Sequence, residues 1–202
     1  MNVGVLASGT GTNLQALIDR AHGVDGVRIA GVASDRVDAP ALERAAAAGI
    51  DARVFPAAEF AGREARDGAI AGWLGAHQVE LVVLAGYMQL LSELFVDAFP
   101  NRVINVHPAL LPAFPGLHAV QQALDYGVTV FGVTVHFVDA GMDSGPVIFQ
   151  RAIELPDARD VDAVLERLHP IEHDLLVEAV RLIARGAVDF APGNPRRVVI
   201  SR

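Results

Sequence analysis

The chain has 202 residues, 52% of them hydrophobic and 20% charged, with a net charge of −8 at neutral pH and no cysteine. That length and composition suit a well-cored globular protein and exclude a disordered one, and the acidic balance argues against a nucleic-acid backbone as partner. Without cysteine there is no disulfide framework, thiolate metal site or catalytic thiol, as fits a reducing cytosol.

Residues 2–7 read as a short Val- and Leu-rich strand, too short and too poor in basic flanks for a secretory signal. The Gly-rich turn Ser8-Gly-Thr-Gly-Thr-Asn13 follows, then an amphipathic helix over 14–19 with Thr12 or Asn13 as its N-cap. A strand over 27–34 leads to a helix over 40–48 that Gly49 stops. A weak strand (52–55), a helix (60–74), an apolar buried strand (80–85), a short helix (92–98) and a strand (102–106) complete the alternation. Strands alternating with helices at this pitch predict an α/β, Rossmann-like, doubly wound and mostly parallel sheet.

Beyond residue 106 come a Pro-rich loop and a short helix over 119–125, and then the pattern changes. Two β-rich runs, 128–138 and 146–155, are joined by the Gly-rich connection 139–145 and predict an antiparallel C-terminal addition to the sheet. Residues 160–185 have helical periodicity interrupted by Pro170, which should kink or break the helix. The turn-rich tail 191–195 precedes a short strand at 198–200. No repeat, linker or apolar run near the ~20 residues of a membrane span occurs, so a single cytoplasmic domain over 1–202 is expected.

The chemistry concentrates at Asn105-Val-His107-Pro108. Side chains two apart on a strand share a face, so the amide and the imidazole project together at a strand end, where open α/β sheets bind ligands. Asp143, between Gly141 and Gly145, is a turn former that can also reach His107 and raise its pKa. The Ser8–Asn13 turn presents backbone N–H groups at a helix start, an anion site with small residues around it. It lacks the Gly-Lys-Ser/Thr of a P-loop. Gly9-x-Gly11 with Asp35 is half of a dinucleotide fingerprint, which keeps a nicotinamide-dependent dehydrogenase as an alternative, although Leu14 fills the third glycine position. His136 reads as structural within its strand, His169 and His173 as a helix face rather than a metal pair, and Ser8 lacks the surroundings of a nucleophile elbow.

Four stretches together resemble the phosphoribosylglycinamide formyltransferase family: Val5-Leu-Ala-Ser-Gly-Thr-Gly-Thr-Asn-Leu-Gln15; Val83-Leu-Ala-Gly-Tyr-Met88; Ile104-Asn-Val-His-Pro-Ala-Leu-Leu-Pro112 with Phe114-Pro-Gly-Leu-His118; and the run from Gly132 to Val147. The resemblance implies the formyltransferase fold, a formyl transfer in purine synthesis, 10-formyltetrahydrofolate as co-substrate and no metal. It implies Asn105, His107 and Asp143 as the catalytic trio. Gly11, Thr12 and Asn13 would hold the substrate phosphate, and Glu172 the sugar hydroxyls. Arg63 would meet the folate's glutamate tail. Met88, Gln89, Leu90 and Leu91, together with Asn105 and Asp139, Ala140, Gly141, Met142 and Asp143, would line the folate site. Thr12 stands where Ser is common and Gln89 where a basic residue is frequent. The implied partners are the two small molecules, with neither nucleic acid nor membrane, in a monomer or homodimer. Within the superfamily, a tRNA formyltransferase needs a further domain and a basic face, and a formyltetrahydrofolate hydrolase usually carries an N-terminal regulatory domain. The hydrolase stays as the nearer alternative, and a non-catalytic phosphosugar-binding module as another.

Overall fold

A computed structural model describes residues 1–201. Nine strands and six helices follow in order: β1 (Asn2–Leu6), α1 (Thr12–Arg20), β2 (Arg28–Ser34), α2 (Pro40–Ala47), β3 (Ala52–Val54), α3 (Arg63–Ala76), β4 (Leu81–Leu84), α4 (Glu93–Ala98), β5 (Val103–His107), α5 (Ala119–Tyr126), β6 (Val130–Phe137), β7 (Val147–Glu154), α6 (Val161–Ala184), β8 (Val188–Ala191) and β9 (Asn194–Ile200). The first seven strands form one sheet in the order β3-β2-β1-β4-β5-β6-β7. The chain divides into two compact units, Met1–Ile104 and the part from Asn105 onward.

In the first unit β1 pairs in parallel with both β2 and β4, and β2 with β3. Val3, Val5 and Leu6 of β1 and Leu81, Val82 and Val83 of β4 are fully buried, the near-continuous apolar strands that a parallel sheet covered on both faces requires. From β1 the chain winds towards β2 and β3, and from β4 it leaves in the other direction. The β1/β4 pair is therefore the switch point, and the loops beyond the carboxyl ends of these two strands flank the crevice where such sheets take ligands.

In the second unit β6 and β7 pair antiparallel over their whole length, as the two β-rich runs predict. Their partner is α6, which buries Val164, Leu168, Leu175, Leu176, Ala179, Val180 and Ile183 along one stripe. Pro170 does not break this helix: all 24 residues are helical. A mid-helix proline costs ~3 kcal/mol, whereas each fully buried Leu or Val contributes ~1.5–3 kcal/mol, so the apolar stripe on both sides of Pro170 outweighs the lost backbone bond.

The tail also differs from expectation. Residues 188–200 form a complete hairpin, β8 against β9, closed by Pro192 and by Gly193 at φ 75°, the residue pair of a type II turn. The N-cap of α1 is Gly11, in left-handed conformation at φ 72° and ψ 28°, rather than Thr12 or Asn13, which begin the helix itself.

Candidate active site

The second unit gathers Asn105 and His107 from β5, His136 from the end of β6, and Asp143 from the β6–β7 connection. Asn105 and His107 share a face, as their spacing predicts, and Asp143 meets both. Its Oδ1 accepts from Asn105 Nδ2 at 3.3 Å, and its Oδ2 lies 3.4 Å from His107 Nδ1. The tightest bond to Asp143 comes from the backbone: Gly116 N–H donates to Oδ2 at 2.7 Å. Burial pushes the Asp143 carboxyl up, but bonding from His136 and from Gly116 N–H, with the charge of His107, outweighs it and lowers it to about 2. Asp143 is thus a carboxylate throughout the physiological range.

His107 is 5% exposed. Its Nε2 faces the Phe114 carbonyl at 2.8 Å, and only an N–H can serve a carbonyl, so Nε2 carries a proton in either charge state. Protonation therefore occurs at Nδ1, the atom beside Asp143. The expectation that Asp143 raises the pKa of this histidine holds for the contact but not for the balance. Burial lowers it more than the Phe114 carbonyl and Asp143 raise it, so the net direction is downward from 6.5.

His136, read from the sequence as structural, also meets the site of the other three residues. It is 1% exposed, as a structural histidine would be. Nevertheless its Nε2 lies 3.3 Å from Asn105 Nδ2 and 3.6 Å from Asp143 Oδ1, while Nδ1 bonds to the Phe137 carbonyl at 2.8 Å. Nδ1 donates to that carbonyl, and Nε2 stands beside both the Asn105 amide and the Asp143 carboxylate.

Thr134 and Gln150 hold the Pro-rich loop in place. The Thr134 hydroxyl donates to Ala109 O at 2.7 Å and accepts from Leu111 N–H at 3.1 Å. Gln150 Nε2 donates to Leu111 O at 2.8 Å and to the same hydroxyl at 3.0 Å. The loop then delivers the Phe114 carbonyl to His107 and the Gly116 N–H to Asp143.

In the first unit the Gly-rich turn lies beyond β1 at the switch point. Its carbonyls are turned towards α2: Gly9 O accepts from Ala41 N–H at 3.3 Å and Thr10 O from Arg44 Nε at 2.8 Å. In a planar trans peptide the N–H points opposite to the carbonyl, so the N–H groups of Thr10 and Gly11 face away from α2. They lie beside the first turn of α1, whose leading N–H groups have no carbonyl within the helix to bond to. The turn packs so closely that a Cβ on Gly11 would lie 2.8 Å from Ala41. Ser8 ties it to the segment beyond β4, donating its N–H to Gly86 O at 3.1 Å and accepting Met88 N–H on Oγ at 2.9 Å.

That segment carries Met88 and Leu90, both more than half exposed, and Gln89, whose amide donates to Asp35 Oδ2 at 2.9 Å. Asp35, the acid of the half dinucleotide fingerprint, is thus engaged by a side chain. Arg63, at the start of α3, lines a pocket of about 290 Å³ with Ala57, Gly62, Arg66, Gln89 and Leu90. Met142 is exposed in the β6–β7 connection, where Asp139 accepts from Ser144 Oγ at 2.7 Å and from Gly141 N–H at 3.1 Å. Glu172 lies buried on α6. His169 and His173 stack at 6.4 Å on α6, and no cluster of three metal-ligating side chains occurs among the described residues.

Comparison with known proteins agrees with this geometry. The formyl transferase family model matches residues 1–180. Phosphoribosylglycinamide formyltransferase of Mycobacterium tuberculosis is 45% identical over 184 residues, covering 91% of this chain and 85% of that protein. Glycinamide ribonucleotide transformylase 1 from Symbiobacterium toebii superposes with a TM-score of 0.95 at 48% identity, covering 100% of this chain and 94% of that one. A formyltetrahydrofolate deformylase from Pseudomonas syringae superposes with a TM-score of 0.88 at 27% identity, with 100% of this chain covering 66% of that one. The chain belongs to the formyl transferase family.

Proposed function

We propose that the chain transfers the formyl group of 10-formyltetrahydrofolate to the amine of 5'-phosphoribosylglycinamide, with Asn105, His107 and Asp143 as its catalytic residues. The transfer belongs to purine biosynthesis, and the formyl folate is a co-substrate. The observation that carries the assignment of the trio is the convergence of an amide donor, a buried imidazole and a permanent carboxylate at the end of β5.

The roles follow from which atoms are free to act. As the substrate amine attacks the formyl carbon, negative charge grows on the formyl oxygen. Asn105 Nδ2 is held by two long contacts, both 3.3 Å, and exchanges either for that oxygen readily. Such a donor is typically worth ~2.7–4 kcal/mol in the transition state. His107 acts through Nδ1, since Nε2 is committed to Phe114. The ring, whose pKa burial lowers, accepts a proton there from the attacking amine and returns it to the folate nitrogen as the bond from that nitrogen to the formyl carbon breaks. Asp143 remains the counter-ion and holds the ring.

The substrate phosphate sits on the N–H groups around Gly11, Thr12 and Asn13, and Glu172 takes the sugar hydroxyls. Met88, Gln89, Leu90 and Leu91 and the 139–143 connection (Asp139, Ala140, Gly141, Met142, Asp143) receive the pterin, and Arg63 the glutamate tail. The chain acts as one domain in the cytoplasm, as a monomer or homodimer, on small molecules rather than on nucleic acid or a membrane. No described helix is long and apolar enough to cross a membrane.

The likeness to a formyltetrahydrofolate deformylase supports a second reading, release of formate to water. A spectrophotometric assay separates them. Tetrahydrofolate release only when the ribonucleotide is present establishes the transferase, and equal release without it establishes the hydrolase.

A further inference from the structure

The pocket at the start of α3 contains two guanidinium groups of different character. Arg63 is exposed, whereas Arg66, one turn further along α3, is 3% exposed and still lines the pocket. Arg66 Nε and Nη2 both donate to Asp67 Oδ1, at 3.2 and 3.0 Å. Asp67 is wholly buried and receives Ser92 N–H on its other oxygen at 2.6 Å. Arg66 Nη1 donates to Gln89 Oε1 at 3.1 Å, and Gln89 is anchored in turn on Asp35. The guanidinium is therefore clamped on two sides.

Three of its five N–H groups are used in this way, leaving one on each Nη. A clamped planar fork with donors to spare is prepared for a carboxylate, because the entropy of ordering the arginine has already been lost in folding. Gln89 beside it is uncharged, so the second cation of this pocket comes from α3. Leu90 and Ala57 supply apolar wall for an aliphatic stem.

We propose that Arg66 binds a carboxylate of the glutamyl tail of the folate, with Gln89 orienting its guanidinium and Arg63 adding charge at the mouth. This rests on the formyl-folate reading above and adds to it a residue that selects for the tail.

Titration calorimetry tests it with two probes, tetrahydrofolate carrying one glutamate and tetrahydropteroate carrying none. Two variants are used because Arg66→Met would strand the buried Asp67. Arg66→Lys keeps the charge without the fork, and the double variant Arg66→Gln/Asp67→Asn keeps a neutral hydrogen-bonded pair. Wild-type protein should prefer the tailed probe by roughly ten- to a hundredfold, the value of a charged hydrogen-bonded contact. Both variants should lose most of that ratio by weakening the tailed probe, with tailless binding within about twofold of wild type. An unchanged ratio, or equal weakening of both probes, would overturn the role, since a merely structural arginine affects both alike. Failure of wild-type protein to bind either probe would instead bring down the formyl-folate reading itself, and the inference with it.

Discussion

His107 keeps its Nε2 proton on the Phe114 carbonyl at 2.8 Å, which leaves Nδ1, 3.4 Å from Asp143, as the atom that gains and loses charge. One backbone oxygen thus decides which face of the imidazole acts. The chemistry is directed to the side where Asn105 and Asp143 already stand.

The first prediction concerns pH. His107 has a folded pKa below 6.5, so its contribution to stability is complete above pH 6.5 and is lost as pH falls through its folded value. Asp143, lowered from 3.8 to about 2, contributes fully above pH 4 and loses its contribution between about pH 4 and 2. Asp143→Asn should flatten the lower window in acid unfolding. It should also lower the His107 pKa further and move the acid limb of kcat to lower pH. NMR titration of the His107 ring in both proteins is the check, and an unmoved pKa in Asp143→Asn would remove the role given to the carboxylate.

Asn105→Ala should reduce kcat by about 10²–10³ while leaving the KM of either substrate within a few-fold, because its oxygen partner gains charge only in the transition state. Steady-state kinetics on folded protein decides. A rise in KM at constant kcat would mean that Asn105 only binds.

Gly11→Ala brings together two costs. The left-handed φ of 72° disfavours any side chain by ~1 kcal/mol or more, and the new Cβ would stand 2.8 Å from Ala41. The turn must move, which shifts the N–H groups assigned to the phosphate. The KM for phosphoribosylglycinamide should rise at least about tenfold, and affinity for tetrahydrofolate should stay near wild type. Equal losses for both ligands would show general misfolding rather than a phosphate site.

Thr134→Val removes a fully buried hydroxyl that serves Ala109, Leu111 and Gln150. Leaving those partners unsatisfied costs about 1–3 kcal/mol, read as a fall in Tm or denaturant midpoint. Because the same loop carries Phe114 and Gly116, kcat should fall as well, although Thr134 is no part of the trio. A normal kcat in the destabilised variant would show that the loop holds His107 and Asp143 without this pin.

Much of the protein follows from local pattern. Apolar runs with Gly/Pro punctuation mark β1 through β5, because burial of both faces of a parallel strand leaves few other residues for those positions, and two β-rich runs mark the antiparallel pair β6 and β7. The spacing of Asn105 and His107 places them on one face because side chains alternate along a strand, and the Gly-rich turn before α1 is legible from composition alone. Tertiary structure decided what depends on partners distant in sequence. Pro170 is absorbed because the apolar stripe of α6 outweighs one lost hydrogen bond. His136 joins Asn105 and Asp143 because β6 and its connection to β7 bring them within 3.6 Å, a contact that no periodicity encodes. The pKa of His107 falls because burial, set by the whole fold, exceeds the pull of one carboxylate. Arg66, unremarkable as a residue on a helix, becomes a buried cation clamped on two sides only where α3 meets Gln89. Local sequence determines the elements and the residue types available for chemistry, whereas charge state and orientation depend on solvent exclusion and long-range contacts that form only when the chain closes on itself.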